Sequence, residues 1–299
     1  MNNLTLKQLR YFDALAHHAH FGRAADACAI SQPALSVQIK ELEETLGTPL
    51  FERGPRHVRL TSFGEECVVQ VRAILRDVDA LGELARASRA GLSGKLRIGV
   101  IPTIAPYLLP ALIGKLRDEQ PQIDVHVRET VTPRLVKELA DGRIDTAIVA
   151  LPVNEPSFQE VPLFSEAMVL VRPATDALTP VPRADGLQDM RLLLLEEGHC
   201  FRDQALSFIN LRSPLTREGL DGSSLSTLVQ MVGAGIGVTL LPEMAVSVET
   251  RAAPVCVDRF AGPQPSRRIG MIWRKTNPLA DRLLQLSEIV REAARHLQI

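Results

Sequence analysis

The stretch SQPALSVQIKELEETLG, from Ser31 to Gly47, predicts one amphipathic helix with a marked beginning and end. Ser31 is a good N-cap residue, and Pro33 fits the first turn, where its missing N–H is not needed. Apolar residues then recur along one face, at Leu35, Ile39, Leu42 and Leu46. The pattern stops at Gly47, which is typical of a helix C-terminus. We therefore expect a helix with one buried apolar face and one exposed polar face.

Two shorter helices are predicted before this helix, and a small hairpin after it. The first helix carries apolar residues on one face, at Leu6, Leu9, Phe12 and Leu15. The second places Ala24, Ala25 and Cys28 together on one face. After Gly47, the stretch TPLFERGPRHVRLTSFG has turn residues at Gly54 and Pro55 between short apolar pieces, which predicts a β-hairpin. Residues 1–62 are therefore predicted to form one module.

The next stretch predicts a long helix that pairs with a partner helix. Between Gly64 and Ala90 there is no proline and a single internal glycine, Gly82. Apolar positions repeat every seven residues in two series, which is typical of a helix–helix seam. Residues 63–90 are predicted to be a linker and dimerisation helix. Its contacts are expected at Val71, Ile74, Val78, Leu81 and Ala85. The alternative is a long helix that packs on its own domain.

Beyond the flexible stretch GLSGK (91–95), strand-like and helix-like segments alternate. Strands are predicted at KLRIGVI, IDVHVRE, IDTAIVA, AMVLVRP, RLLLLEE, IGVTLLP and RRIGMIWR. Helices separate several of them, and one is expected to be capped by Thr132. This alternation indicates a parallel α/β sheet. Residues 95–299 suit two lobes, one at about 95–164 plus 268–299 and one at about 165–267, with a ligand cleft at the carboxyl ends of the strands.

Composition indicates the cellular location and the state of the cysteines, but it does not indicate a binding partner. A net charge of −1 over 299 residues gives no hint of nucleic acid. No signal peptide or membrane span is visible, so a cytoplasmic protein is expected. Four cysteines, at positions 28, 67, 200 and 256, lack metal-ligand spacing, and a reducing compartment would leave them as free thiols. No metal or cofactor is predicted.

The N-terminal third strongly resembles the winged helix-turn-helix of LysR-type transcriptional regulators. The resemblance rests on AADACAISQPALSVQIKELEETLGTPLFER (24–53), followed by LTSFG. Cys28 departs from the pattern, because many members carry leucine there. The resemblance implies an α/β fold class with an N-terminal winged helix-turn-helix, a long linker helix and a two-lobed regulatory domain similar to periplasmic binding proteins. It also implies a homodimer or tetramer that binds a near-palindromic double-stranded DNA operator and RNA polymerase.

The resemblance also assigns the DNA contacts. In a helix-turn-helix, the N-terminal residues of the second helix contact base edges. Glutamines suit adenine edges, and serine or lysine side chains are able to contact bases or phosphates. The hairpin stretch RGPRHVRL (53–60) carries basic residues and no acid, which fits the DNA backbone or the minor groove. The predicted DNA-binding residues are Ser31, Gln32, Pro33, Ser36, Gln38, Lys40, Arg53 and Arg59.

One stretch stands out from the rest of the α/β part. In LLLLEEGHCFRDQALSF (192–208), His199, Cys200, Arg202 and Asp203 are close neighbours. A thiol beside positive charge favours its ionised form, and a thiolate is the reactive form of cysteine. The stretch therefore fits a nucleophile, a sensor thiol or a buried cysteine with polar neighbours.

Several segments resemble the peroxide-sensing OxyR branch of the LysR-type regulators. They include this stretch, LRIGVIPTIAPYLLP, VPLFSEAM and MVGAGIGVTLLPEMAV. The resemblance implies that hydrogen peroxide oxidises Cys200 and that the chain controls oxidative-stress genes. Threonine hydroxyls would hold a peroxide or water near the sulfur, and a helix beginning at Phe201 would favour the thiolate. The implied effector pocket contains Thr103, Thr130, His199, Arg202 and Asp203.

Ile209 departs from the pattern of that branch. The branch has a resolving cysteine nine residues after the oxidised one, whereas here the position is Ile209 and SFINLRSPLT contains no cysteine. Isoleucine has no redox chemistry, so the usual internal disulfide is not expected. Cys200 could stop at a sulfenic acid or a glutathione adduct. It could also pair with another cysteine, or the pocket could bind a different small ligand.

Two other classes of protein are disfavoured. A thiol peroxidase would use Cys200 with His199 as its base, but adjacent residues on a strand point to opposite faces. The sequence shows no Gly-rich phosphate loop, metal triad or nucleophile elbow. A solute-binding protein would share the two lobes but not the N-terminal module. We therefore expect a DNA-binding regulator and no enzyme.

Overall fold

The computed structural model describes residues 4–53, 58–87, 94–183, 186–187, 190–208, 221–260 and 262–295. Its contacts divide the chain into two compact units, Met1–Ala85 and Arg86–Ile299. Each unit has its own cluster of buried apolar side chains. Across the described ranges, every helix is too short or too polar to span a membrane.

The first unit contains the predicted helices and hairpin. Its elements are α1 (Leu6–His18), α2 (Phe21–Ala27), α3 (Gln32–Leu46), β1 (Phe51–Arg53), β2 (Val58–Leu60) and α4 (Ser62–Ala87). Phe51 lies opposite Leu60 in the antiparallel pair β1–β2, which confirms the hairpin. Leu9, Phe12 and Leu15 are buried on α1, whereas Leu6, in its first turn, is 44% exposed.

The ends of α3 are those that its sequence predicts. The Ser31 hydroxyl accepts a hydrogen bond from the Ala34 N–H at 3.4 Å, so Ser31 is the N-cap. Gly47 ends the helix with φ of 70°, a left-handed conformation that glycine adopts without strain. Between these ends, Leu35, Ile39 and Leu42 are buried against α1 and α2 in the core of the unit.

The second unit is an α/β domain. Its strands are β3 (Gly94–Val100), β4 (Ile123–Glu129), β5 (Thr146–Leu151), β6 (Phe158–Pro173), β7 (Thr239–Pro242), β8 (Val255–Asp258) and β9 (Ser266–Arg274). Its α-helices are α5 (Ala105–Glu119), α6 (Thr132–Ala140), α7 (Cys200–Phe208), α8 (Leu225–Gly233), α9 (Glu243–Glu249) and α10 (Ala280–Arg295). The α/β class predicted from the alternation is confirmed.

The sheet is mixed, so the prediction of a parallel sheet is wrong. Within the described residues its order is β4-β3-β5-β9-β6-β7, with β8 also paired to β6. Among the strands named above, in the described residues, the parallel pairs are β3 with β4 and β3 with β5. The late strand β9 inserts between β5 and β6 and runs antiparallel to both. β9 is distant in sequence from the ends of β5 and β6 that precede it, so no local sequence pattern predicts the direction in which it pairs with them.

β6 is longer than the predicted strand AMVLVRP. It begins at Phe158, pairs first with β9 and then, from Met168 onward, with β7 and β8. Pro162 and Phe164 flank a shift of register, because proline has no N–H to donate to the ladder. The same proline makes the first half of β6 unlike a strand in sequence. The predicted boundary between lobes, at 164/165, stays a prediction.

Three further local expectations are wrong. RLLLLEE is not a strand: it makes isolated bridges at Leu192 and Leu195, and its leucines pack into the core. The N-cap of α6 is Val131, not Thr132, and the Thr132 hydroxyl is buried without a hydrogen-bond partner. Helix α7 begins at Cys200, one residue before the expected start at Phe201, so the cysteine itself belongs to the first turn.

Candidate functional site

The outward face of α3 carries the predicted base-contacting residues. Gln32, Pro33 and Lys40 are exposed, and Ser36 is partly exposed. The Lys40 ammonium lies 3.5 Å from the Glu44 carboxylate in a largely exposed pair, which is weak enough to yield to a phosphate. The predicted contacts therefore share a helix face that is accessible from solvent.

Two predicted DNA-binding residues are already engaged within the protein. The Ser31 hydroxyl is used in the N-cap of α3. The Gln38 side-chain amide donates to the Glu41 carboxylate at 2.7 Å and is partly buried. Both side chains keep groups that can contact DNA, because the Ser31 hydroxyl can still donate and the Gln38 amide keeps its second N–H and its carbonyl oxygen.

The hairpin follows α3 and is tied to it by Glu43. The Glu43 carboxylate accepts hydrogen bonds from the backbone N–H groups of Leu50 and Phe51, at 2.8 and 3.2 Å. The sequence analysis did not predict this role of Glu43. Arg59 is exposed on β2. Arg53 ends β1, but its side chain, like Arg56 and His57, lies outside the described residues.

The predicted seam residues of α4 divide into two kinds. Val71 is buried in the core of its own unit, so the alternative of packing on the same domain holds for this residue. Leu81 and Ile74 are 68% and 45% exposed, and Val78 is partly exposed. The side chain of Ala85 lies outside the described residues. The exposed apolar residues leave a face of α4 open to a partner.

The α/β unit contains a cavity of about 320 Å³. Thr103 lines it from the turn between β3 and α5, Thr130 from the end of β4, and His199 from the residue before α7. The other polar groups in the lining include Tyr107, Glu129, Ser224, Ser226 and Glu249. The geometry thus brings three of the predicted pocket residues together.

The other predicted pocket residues do not line this cavity. Cys200 follows His199 directly, and its partly exposed side chain packs against the core. The Arg202 guanidinium donates to the Leu195 carbonyl at 2.8 Å and lies 3.0 Å from the Asp221 carboxylate. Arg202 therefore holds α7 against the preceding segment. Asp203 is exposed.

His199 does not match the positively charged neighbour that the sequence predicts for the Cys200 thiol. Burial lowers the pKa of His199, and the nearby Glu196 carboxylate only partly opposes that effect. A desolvated imidazole disfavours its charged form. The neutral imidazole is therefore favoured near neutral pH, where it presents one donor and one acceptor nitrogen.

A buried arginine that sequence reasoning missed lies behind the cavity. Arg267 and Glu166 are cross-strand neighbours on β9 and β6, and both side chains are 0% exposed. The Nη2 and Nε atoms of Arg267 lie 2.6 and 2.7 Å from the Oε1 atom of Glu166. Arg267 also donates to the hydroxyl and carbonyl oxygens of Thr103, at 2.8 and 3.0 Å, and stacks 5.3 Å from the ring centre of Phe201. It links the cavity wall to the residue that follows Cys200.

A second missed network crosses the cavity. The Tyr107 hydroxyl donates to one oxygen of Glu249 at 2.7 Å, and the Ser226 hydroxyl donates to the other at 2.6 Å. Burial and the Glu249 carboxylate both raise the pKa of Tyr107, so it stays protonated. The network joins α5 to α8 and α9, which are far apart in the sequence.

Comparison with known proteins now defines the class. Residues 6–65 match the bacterial regulatory helix-turn-helix protein family, lysR type, and residues 89–295 match the LysR substrate binding domain. The chain belongs to the LysR family of bacterial transcriptional regulators. It is a DNA-binding regulator and not an enzyme, and it is closely related to OxyR.

Two curated relatives and two solved structures support this relationship. The chain is 43% identical over 300 residues to a probable hydrogen peroxide-inducible genes activator of Streptomyces viridosporus, covering 99% of this chain and 96% of the relative. It is 42% identical to the dual regulator OxyR of Escherichia coli, covering 96% and 95%.

Among the structures, a full-length OxyR variant from Pseudomonas aeruginosa is 38% identical with a TM-score of 0.75, covering 97% and 95%. A variant of Corynebacterium glutamicum OxyR with hydrogen peroxide bound is 34% identical with a TM-score of 0.68, covering 98% and 93%. The likeness therefore extends over both units of the chain.

Proposed function

We propose that this regulator controls a peroxide response through oxidation of Cys200, without an internal disulfide. The observation that carries the proposal is a cavity lined by Thr103, Thr130 and His199, of which His199 directly precedes Cys200 in the chain. The relative from Streptomyces viridosporus is named a probable activator of hydrogen peroxide-inducible genes, and this name supports the same function. The proposed place of action is the cytoplasm.

The proposed chemistry begins at the sulfur of Cys200. The thiolate attacks one oxygen of hydrogen peroxide, the O–O bond breaks, and the departing oxygen takes a proton to leave as water. Sulfur loses two electrons and becomes a sulfenic acid. Cys200 occupies the first turn of α7.

Thr103 is a suitable hydrogen-bond donor to the departing oxygen, which takes its proton from solvent. Its hydroxyl oxygen already accepts a hydrogen bond from Arg267 at 2.8 Å. The hydroxyl hydrogen is then left to point into the cavity that Thr103 lines. Arg267 is therefore proposed to act as a positioning residue that fixes the direction of this donor.

The other cysteines are unfavourable resolving partners. Burial raises the pKa of Cys256, whose thiol donates to the Pro173 carbonyl at 3.4 Å. Burial also raises the pKa values of Cys28 and Cys67, which belong to the first unit. A protonated thiol is a poor nucleophile. Ile209, which lies outside the described residues, offers no sulfur, so a small cellular thiol is proposed to capture the sulfenic acid.

Peptide mapping tests this proposal. The full-length protein is treated with a small excess of hydrogen peroxide, labelled with a reagent for sulfenic acid, and mapped by mass spectrometry. We expect label at Cys200, or an adduct when glutathione is added. Cys200→Ser should abolish the response of operator binding to peroxide, and Cys256→Ser is the matched control that should keep it. A Cys200–Cys256 bridge would overturn the mechanism, and a normal response in Cys200→Ser would overturn the sensor assignment.

The domain organisation is proposed as predicted from the sequence: residues 1–62 bind DNA, 63–90 dimerise and 95–299 sense the effector. The matched family ranges and the division into compact units support this arrangement. The proposed assembly is a dimer or tetramer on a near-palindromic operator, with contact to RNA polymerase. Sedimentation with and without operator DNA tests the assembly.

A second candidate function is the binding of a different small ligand in the same cavity. Its volume of about 320 Å³ favours this alternative, because it is roughly ten times the space of one water molecule. Such a ligand would act on a Cys200→Ser variant as well as on the wild-type protein. The same variant therefore distinguishes the two candidates.

A further inference from the structure

The exposed apolar side chain of Val37 lies on the helix that carries the predicted base contacts. We propose that Val37 recognises the methyl group of a thymine in the operator and so sets sequence preference. This inference rests on the proposed placement of α3 in the major groove. Val37 is not among the DNA-binding residues that the sequence predicts.

The position of Val37 on α3 is central to the accessible face. A helix turns about 100° per residue, so Val37 lies roughly 200° from the buried Leu35. Pro33 and Lys40, one turn before and one turn after, are also exposed. Gln38 is turned toward the other flank, where its amide is held by Glu41 at 2.7 Å. Val37 therefore points where a groove would meet this helix.

The packing of the first unit does not require a valine at position 37. The side chain is 54% exposed and belongs to no part of the buried core of its unit. β-branched residues are also less favourable in helices than unbranched ones. A single exposed valine elsewhere on a protein needs no explanation, but this one projects from the face that binds DNA.

The charges on α3 limit which part of the helix approaches DNA. Exposed Glu41 and Glu44 occupy its C-terminal half, and their carboxylates would be repelled by phosphates. Its N-terminal half carries Gln32, Pro33 and Val37 without an acidic side chain. In the major groove the C5-methyl of thymine is the apolar group of the base edges. It is therefore the chemical group that an apolar side chain at this position matches.

Thymine-to-deoxyuridine substitution tests the contact, because it removes only the methyl group. The operator is first selected from random duplexes with the full-length protein. Each thymine of a half-site is then replaced by deoxyuridine, together with its symmetry mate. For wild-type protein we expect one position at which affinity falls about fourfold per half-site, the effect of losing one buried methyl group. In Val37→Ala that position should become insensitive.

The controls separate this inference from the proposed function. Val69→Ala changes another exposed valine of the same unit, on α4, and should keep the wild-type profile. The inference is overturned if Val37→Ala and the wild type respond alike at every thymine while Gln32→Ala loses preference for the operator. If Gln32→Ala and Val37→Ala both keep the wild-type preference over random DNA, the placement of α3 in the groove is overturned as well.

Discussion

Replacing Glu166 by glutamine should destabilise the α/β unit strongly. Glu166 accepts two hydrogen bonds from Arg267 and one from the Met244 N–H, at 3.3 Å. Both members of the ion pair are fully buried. With a neutral carboxamide in place of the carboxylate, the Arg267 charge would remain in the interior with only neutral acceptors, the amide oxygen and the oxygens of Thr103, and the ring of Phe201.

The expected loss is about 3–5 kcal/mol, the cost of leaving one charge of a buried pair without its partner. Trp273 is the single tryptophan of the chain, and it is buried on β9, so its fluorescence reports on the α/β unit. With a urea m-value of about 2 kcal/mol per molar, the midpoint should fall by about 2 M.

A double variant separates the charge from the packing. Glu166→Leu with Arg267→Met removes both charges and keeps apolar volume, so its stability should return close to that of the wild type. Its Cys200 should nevertheless react more slowly with peroxide, because Thr103 loses the donor that orients it. A Glu166→Gln midpoint within about 0.3 M of wild type would refute the reasoning. So would a double variant as unstable as the single one.

Further predictions concern the partner face, the pH dependence and the DNA contacts. Leu81→Asp should lower dimer formation without unfolding the first unit, whereas Val71→Asp should unfold it, since Val71 is buried. Sedimentation measures dimer formation and circular dichroism measures folding. Unchanged sedimentation of Leu81→Asp would exclude this face of α4 as the dimer contact. The lowered pKa of His199 means that the unfolded chain binds its proton first, so this contribution to stability is complete above about pH 6.5 and is lost as pH falls. His199→Gln should therefore lose less stability than wild type on acidification, as followed by Trp273 fluorescence, and an identical pH profile would contradict this. Arg59→Ala should weaken binding to operator and random DNA alike and reduce the salt slope by about 1, whereas an unchanged slope would exclude a phosphate contact.

The helices of the first unit could be predicted because their signals are local. The cap at Ser31, the spacing of Leu35, Ile39 and Leu42, and Gly47 all lie within one helix. Sequence periodicity also indicates which face is buried, and the exposed position of Val37 follows from the same pattern. The partner of Glu43 was missed, because the hydrogen bonds to Leu50 and Phe51 depend on the fold of the loop between them.

The sheet and the cavity depend on contacts between distant residues. The hydrogen bond from Arg267 to Thr103 spans 164 positions, and the one from Tyr107 to Glu249 spans 142. No spacing in the sequence indicates such pairs. Thr103, Thr130 and His199 were proposed through family resemblance, and the structure places them around one cavity, but Cys200 and Arg202 do not line it.

The hydrogen bonds around Thr103 restrict what the cavity can hold. Within the part of the chain that the structure describes, Arg267 donates to the Thr103 hydroxyl oxygen, and no acceptor holds the hydroxyl hydrogen. That hydrogen is donated most favourably to a ligand that carries a lone pair, because an unused buried donor costs free energy. Neutral His199 adds one more donor and one acceptor. Hydrogen peroxide, whose two oxygens each accept and donate hydrogen bonds, has the hydrogen-bonding groups that these two residues complement. A purely cationic ligand would leave the Thr103 hydrogen without an acceptor. We therefore expect Thr103→Val to slow oxidation of Cys200 while leaving operator binding by the reduced protein unchanged, and an unaltered oxidation rate in that variant would exclude Thr103 as the donor.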